Sequence, residues 1–202
     1  MRVLLGKALC LRYGLGAELL LETPLLTEAA GVLRTDFHHD GSEIRDDLDY
    51  MSLPEDKRVY WDKSVIFLAR DPRDVLVSSY FEATRRSFLF DGEPVQFDGS
   101  ISEFVRSPTF GVKKLAVFYD IWARNQAVPK KFLLIRYEQL HAAPKSLLRE
   151  VLRVLGAEAV QQEQIAKAVA YASFDNLRRL ERANAFNDPR LQPGDPCESS
   201  SL

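Results

Sequence analysis

Apolar positions along the chain follow two rhythms. Val65-Ile66-Phe67-Leu68 is an unbroken apolar run with two β-branched residues, the composition of a strand covered on both faces in a parallel sheet. Phe132 to Ile135 repeats that character and predicts a strand over Lys131 to Arg136, and Val32 to Phe37 reads as another. Elsewhere the apolar residues return at three- and four-residue intervals. Val112, Leu115, Ala116, Tyr119 and Trp122 form one such stripe, and Leu147, Leu148, Val151, Leu152 and Leu155 form a second; both have the spacing of a helix face turned to a core. Helices are expected over Arg2 to Leu11, part of Glu18 to Ala30, Pro72 to Phe88, Gly111 to Asn125, Pro144 to Leu155, Gln161 to Ala172 and Phe174 to Asn184. Pro144 suits a helix start and Gly156 a helix end. The charged stretch 40–56 and the segment Asp91 to Ser100, with glycines near each end, read as surface loops.

One junction carries more than packing. Val65 to Ala69 runs directly into Arg70-Asp71-Pro72, where Asp71 can cap a helix and Pro72 can fill its first position without losing a needed N–H. Arg70 would then stand at the C-terminal end of a strand beside the N–H groups of a first helical turn, a positive spot of the kind that binds phosphate. Ser78, two turns along the same helix face, can add a hydroxyl. The same local pattern also suits a plain capped helix with solvated charges.

Composition narrows the field. The 202 residues are 46% hydrophobic and carry a net charge of −2, so one core of the α/β class is affordable in length, and no cationic field for nucleic acid exists. The basic pairs Arg85-Arg86, Lys113-Lys114, Lys130-Lys131 and Arg178-Arg179 read mostly as solvated helix faces and ends. The two cysteines, Cys10 and Cys197, have no metal spacing and suit a reduced cytoplasmic protein, with a single terminal disulfide as the alternative. No apolar run reaches the roughly 18 residues that span a bilayer. Zinc-protease, zinc-ribbon and serine-hydrolase motifs are absent, and Gly6-Lys7 lacks the upstream glycine and following hydroxyl of a nucleotide-binding P-loop. Of three histidines, His38 and His39 precede Asp40 at the end of the expected strand, where neighbours point to opposite faces and only one can enter a shared cleft. His141 reads as a surface residue.

Arg70-Asp-Pro-Arg-Asp-Val-Leu-Val-Ser78 resembles the motif with which sulfotransferases that use 3′-phosphoadenosine 5′-phosphosulfate (PAPS) hold the 3′-phosphate of that cosubstrate. The resemblance implies that Arg70 and Ser78 bind the phosphate. Tyr137-Glu-Gln-Leu140, followed by a helix ending in Leu155-Gly156, is similar to the family's adenine-contacting block and assigns that contact to Tyr137. The catalytic base falls on His39, with His38 as the fallback. It further implies a P-loop-NTPase-like three-layer α/β fold in which the three strands are neighbours in a parallel sheet, a hydroxyl or amine acceptor on a small molecule, carbohydrate or protein, no metal, and a homodimer as one assembly state.

The chain departs from the family pattern at both ends. A loop like Pro-Lys-Ser-Gly-Thr-Thr-Trp, which cradles the 5′-phosphosulfate, is missing, and the first residues resemble the helix that follows it. A late Arg-Lys-Gly-like loop is missing as well. Residues 1–202 are therefore expected to be one partial sulfotransferase domain lacking its first strand, with 189–202 a flexible tail and with weak turnover or none. The rival expectation is an inactive relative that binds nucleotide or a protein partner.

Overall fold

The computed structural model describes residues 1–42, 48–85, 88–90, 93–95 and 97–186. In chain order its elements are α1 (Arg2–Tyr13), α2 (Thr23–Ala29), β1 (Ser64–Ala69), α3 (Pro72–Arg85), β2 (Phe88–Phe90), β3 (Glu93–Val95), α4 (Ile101–Arg106), α5 (Val112–Arg124), β4 (Lys131–Arg136), α6 (Tyr137–Ala142), α7 (Pro144–Val154), α8 (Gln162–Tyr171) and α9 (Phe174–Arg182), with short 3₁₀ turns at Ala17–Leu19 and Arg58–Tyr60. Two compact units form, one of Met1–Phe37 with the chain from Pro144 onward, the other of His38–Ala143.

The first unit is helical. Leu4, Leu5, Ala8 and Leu9 of α1, Leu26 of α2, Leu148, Val151 and Leu152 of α7, and Ile165 and Ala168 of α8 are buried, and α1 packs on α2, α7 and α8. Gly156, at φ 71°, follows α7 in the left-handed conformation that glycine adopts without strain. The strand expected over Val32 to Phe37 does not form. Its backbone groups find individual partners instead: Leu33 N–H donates to the Leu155 carbonyl at 3.1 Å, and Thr35 N–H donates to Thr27 Oγ1 at 3.1 Å. A segment whose N–H groups are satisfied this way has no need of a ladder.

The second unit holds the sheet. β1 and β4 pair in parallel with Ser64 opposite Lys131 and Ala69 opposite Arg136, so the parallel α/β character expected from the sequence is present. Among the described residues this sheet has two strands. Val65, Phe67 and Phe132 pack against an aromatic cluster of Leu53, Phe118, Ile121 and Trp122, while Leu68 and Leu134 remain exposed; β1 is half-buried rather than covered on both faces. The buried side of α5 is also turned from the expected stripe. Phe118, Ile121 and Trp122 are buried and Val112 and Ala116 exposed, and Lys114, read as solvated, is only 3% exposed. A second cluster joins Leu76 and Ala83 of α3 to Phe104 of α4.

Two further expectations change. The helix expected to reach Phe88 ends at Arg85, and β2 and β3 form an antiparallel hairpin where a helix end and a loop were expected. Too few residues separate these short strands for a hydrophobic period to show. The tail expected over 189–202, and with it Cys197, lies outside the described residues; Cys10 is buried as a free thiol. Among the described residues no helix is long and apolar enough to cross a membrane.

Candidate functional site

Strand register assembles the site. Ala69 pairs with Arg136 at the last rung of the ladder, so the next residues, Arg70 and Tyr137, emerge side by side at the C-terminal edge of the sheet, where α/β proteins bind ligands. The Arg70 guanidinium lies over the Tyr137 ring, 4.6 Å from its centroid, a cation–π distance. One residue further, Glu138 Oε1 accepts the Asp71 N–H at 3.0 Å. That bond holds the Glu138 carboxyl below its usual range.

Asp71 caps α3 as its sequence foretells. Its Oδ1 accepts the Arg73 N–H at 2.9 Å, and its carboxylate also takes the Arg73 guanidinium at 2.6 Å, which together bring its pKa down to about 2. The cap has a consequence for ligand binding. A first-turn N–H that the sequence offered to a phosphate is occupied, so the positive spot at this turn rests chiefly on Arg70.

Arg70 is itself only loosely engaged. Its guanidinium is 3.5 Å from Asp74 one turn along α3, at the limit of a hydrogen bond. Among the described residues the only buried side-chain polar atom without a hydrogen-bond partner is Arg70 Nε. A buried donor left unpaired costs about 1–3 kcal/mol, and such atoms point to an acceptor supplied from outside the chain. A phosphate oxygen fits that donor. The backbone of Arg70, by contrast, is firmly held. Tyr119 of α5 accepts the Arg70 N–H at 3.1 Å and donates to the Arg70 carbonyl at 2.9 Å; burial raises the pKa of this phenol, which keeps its proton in place.

The other expected residues divide. Ser78 is exposed on α3, and no hydrogen bond joins it to Arg70. His38 and His39 are both exposed in a segment that is not a strand, so the alternation that would admit only one of them to a cleft does not operate. The His39 carbonyl accepts Ser42 N–H at 3.0 Å and Ser42 Oγ at 2.7 Å. The His38 ring stacks on Tyr60, with centroids 6.1 Å apart and planes 14° from parallel. Arg70 and Tyr137 are thus brought together, whereas His38, through Tyr60, belongs to a different cluster. His141, though exposed, is more than a bystander: its ring meets Tyr137 edge-on at 4.8 Å.

That second cluster centres on Asp40, a residue with φ 52°. Its carboxylate accepts Lys57 Nζ at 2.7 Å, Tyr60 OH at 2.7 Å and Trp122 Nε1 at 3.0 Å. Lys57 is 1% exposed, and its ammonium lies 5.2 Å from the Trp122 ring centroid. Burial and the Asp40 carboxylate together push the Tyr60 pKa up. Sequence reasoning gave no site role to Tyr119, Glu138, Lys57, Tyr60 and Trp122, although Tyr119 and Trp122 stood in the expected core stripe. Glu138 had a signal, its place in the Tyr-Glu-Gln-Leu block; the rest are contacts across 17 to 82 residues of chain, which no local period records.

Comparison with known proteins bears on both the turn and the sheet that carries it. The profile of the sulfotransferase domain matches residues 53–192, a span that contains β1, β4, Arg70, Ser78 and Tyr137. The chain is 24% identical over 140 residues to flavonol 3-sulfotransferase of Flaveria bidentis, covering 65% of this chain and 43% of that protein. It is 24% identical over 133 residues to cytosolic sulfotransferase 17 of Arabidopsis thaliana, covering 64% and 38%, and 29% identical over 133 residues to sulfotransferase 2B1 of Mus musculus, covering 64% and 36%. It spans about two-fifths of the length of these curated relatives. A parallel pair ending in an arginine with an unpaired Nε, within a match over most of the chain, has one common explanation: the chain belongs to the sulfotransferase family.

Proposed function

We propose that this chain carries the 3′-phosphoadenosine side of a PAPS-binding site and serves sulfuryl transfer to a hydroxyl or amine acceptor. Arg70 binds the 3′-phosphate, Ser78 adds a neutral donor, and Tyr137 contacts the adenine. The observation that carries this reading is the unpartnered Nε of Arg70, a buried cationic donor held 4.6 Å from an aromatic ring at the edge of a parallel sheet. A guanidinium offers a planar fork to phosphate oxygens, and a half-buried ring beside it offers a face to a base.

PAPS supplies an activated sulfuryl group. In the transfer, a new bond forms from sulfur to the acceptor oxygen or nitrogen as the S–O bond to the phosphate breaks, and the phosphate keeps the bonding electron pair. The acceptor proton needs a base, which the family resemblance assigns to His39, with His38 as the alternative; histidine is the side chain most often used for such proton transfer. The His38 ring stacks on Tyr60. The two compact units are read as parts of one domain, because the family profile covers residues of both. A small-molecule acceptor and a cytoplasmic location are supported by relatives named as flavonol and cytosolic sulfotransferases.

Calorimetric titration of the chain with adenosine 3′,5′-bisphosphate, beside adenosine 5′-phosphate, tests the proposal. Charge-assisted hydrogen bonds contribute about 1.5–3 kcal/mol, so the bisphosphate should bind roughly ten- to a hundredfold more tightly. Arg70→Ala should erase most of that preference. Equal affinity for the two nucleotides, or a preference that survives Arg70→Ala, refutes the assignment.

A further inference from the structure

We propose that Tyr119 and Glu138 are positioning residues for the anion site, a backbone clamp that sets where the Arg70 guanidinium points. The proposal rests on the reading of Arg70 as the phosphate ligand, and deepens it. The parallel ladder stops at Ala69 and Arg136. Beyond it the N–H and C=O of Arg70 and the N–H of Asp71 have no strand partner, and an arginine on a soft turn would sweep its side chain through many directions.

Side chains from two other elements replace the missing rungs. The Tyr119 hydroxyl accepts from Arg70 N and donates to Arg70 O, at 3.1 and 2.9 Å, so one atom pins both polar groups of the residue. Glu138 Oε1 takes the next N–H at 3.0 Å. Three successive backbone groups are thereby satisfied by α5 and α6 rather than by the sheet.

Packing fixes the Tyr119 arm, and chain position fixes the origin of the Glu138 arm. The Tyr119 ring meets Phe67 edge-on at 5.9 Å and lies 6.3 Å from Phe118, so core packing sets the height of its hydroxyl above the sheet. Glu138 directly follows Tyr137, and the same helical turn therefore places the ring under Arg70 and the carboxylate on Asp71. A planar fork binds phosphate well only when it is aimed. The clamp aims it before the ligand arrives, and leaves Nε without a partner.

Tyr119→Phe keeps the ring and removes only the hydroxyl. In ligand-free protein, hydrogen exchange followed by NMR should show the Arg70 and Asp71 amides exchanging about tenfold faster in this variant, with distant core amides unchanged. Unchanged rates at Arg70 and Asp71 overturn the clamp regardless of how nucleotides bind. In titrations, Tyr119→Phe and Glu138→Ala should each weaken the bisphosphate about three- to tenfold and leave adenosine 5′-phosphate unaffected. Both effects should vanish in an Arg70→Ala background. Equal losses for both nucleotides, or losses that persist without Arg70, overturn the positioning role. A wild-type chain with no bisphosphate preference instead refutes the phosphate reading of Arg70, and the exchange rates then decide the clamp by themselves.

Discussion

Around Asp40, a buried ammonium lies 2.7 Å from a carboxylate and 5.2 Å from an indole centroid, and the same carboxylate is saturated by a phenol and the indole N–H. Around Arg70, a guanidinium lies 4.6 Å from a phenol ring and 3.5 Å from an exposed carboxylate, and one of its buried nitrogens has no partner. Each region sets a cation against an aromatic ring and an acid, yet they differ in what is left over. The Asp40 cluster is closed within the chain, as a network that orders a loop must be, since a half-satisfied buried network is worse than an apolar one. The Arg70 turn keeps its backbone satisfied and its side chain not. A donor left unpaired on a fixed backbone is what the proposed phosphate role of Arg70 requires, whereas the closed Asp40 network has the form of a structural group.

The largest test of this contrast is Asp40→Ala. It leaves Lys57, 1% exposed, buried without its counter-charge, which should cost about 3–5 kcal/mol of stability in a urea titration. Arg70→Ala, by comparison, removes an unpaired donor and should change stability by less than about 1 kcal/mol while abolishing the nucleotide preference. If the two variants destabilise equally, the contrast between closed and open clusters fails.

A smaller effect should follow from Tyr137→Leu. Removing the ring takes away about 0.5–1 kcal/mol of cation–π stabilisation together with any stacking on the base, and so should weaken both adenosine nucleotides by a similar factor. Calorimetry that shows loss of the bisphosphate alone would move Tyr137 from the adenine to the phosphate.

Smallest is the pH response of the cap. The Asp71 carboxyl has a folded pKa of about 2, below the ordinary value near 4 for an unfolded chain. Its contribution to stability is therefore fully present above the ordinary carboxylate range and is lost as the pH falls through about 2. NMR titration of the Asp71 carboxyl should show this midpoint, and Arg73→Gln should bring it back toward the ordinary range without altering the bisphosphate preference. A changed preference would mean that Arg73, too, takes part in binding.

Much of this is legible in the amino-acid sequence. The apolar runs at Val65 to Leu68 and Phe132 to Ile135 announce two strands, and both form; Asp71-Pro72 announces a capped helix, and it starts there. Ridges of Leu147, Leu148, Val151 and Leu152 announce the buried side of α7. These features depend on neighbours in sequence, where period, cap and proline geometry act directly. The failures have a common cause in distant partners. Val32 to Phe37 has a strand-like look, but its N–H groups are claimed by Thr27 and Leu155. Lys114 looks solvated, yet tertiary packing buries it.

For the site the division runs through single residues. The sequence alone determined that an arginine ends a strand before a capped helix, and that a tyrosine ends the other strand, because strand length and capping are local. Only the tertiary structure decided that the two meet, since a parallel register between residues 67 apart joins Ala69 to Arg136 and Asp71 to Glu138. It alone decided that Tyr119 is spent on the Arg70 backbone and that His38 leans on Tyr60. Local chemistry selects which residues stand at the ends of elements; the packing of those elements selects which of the ends share a site.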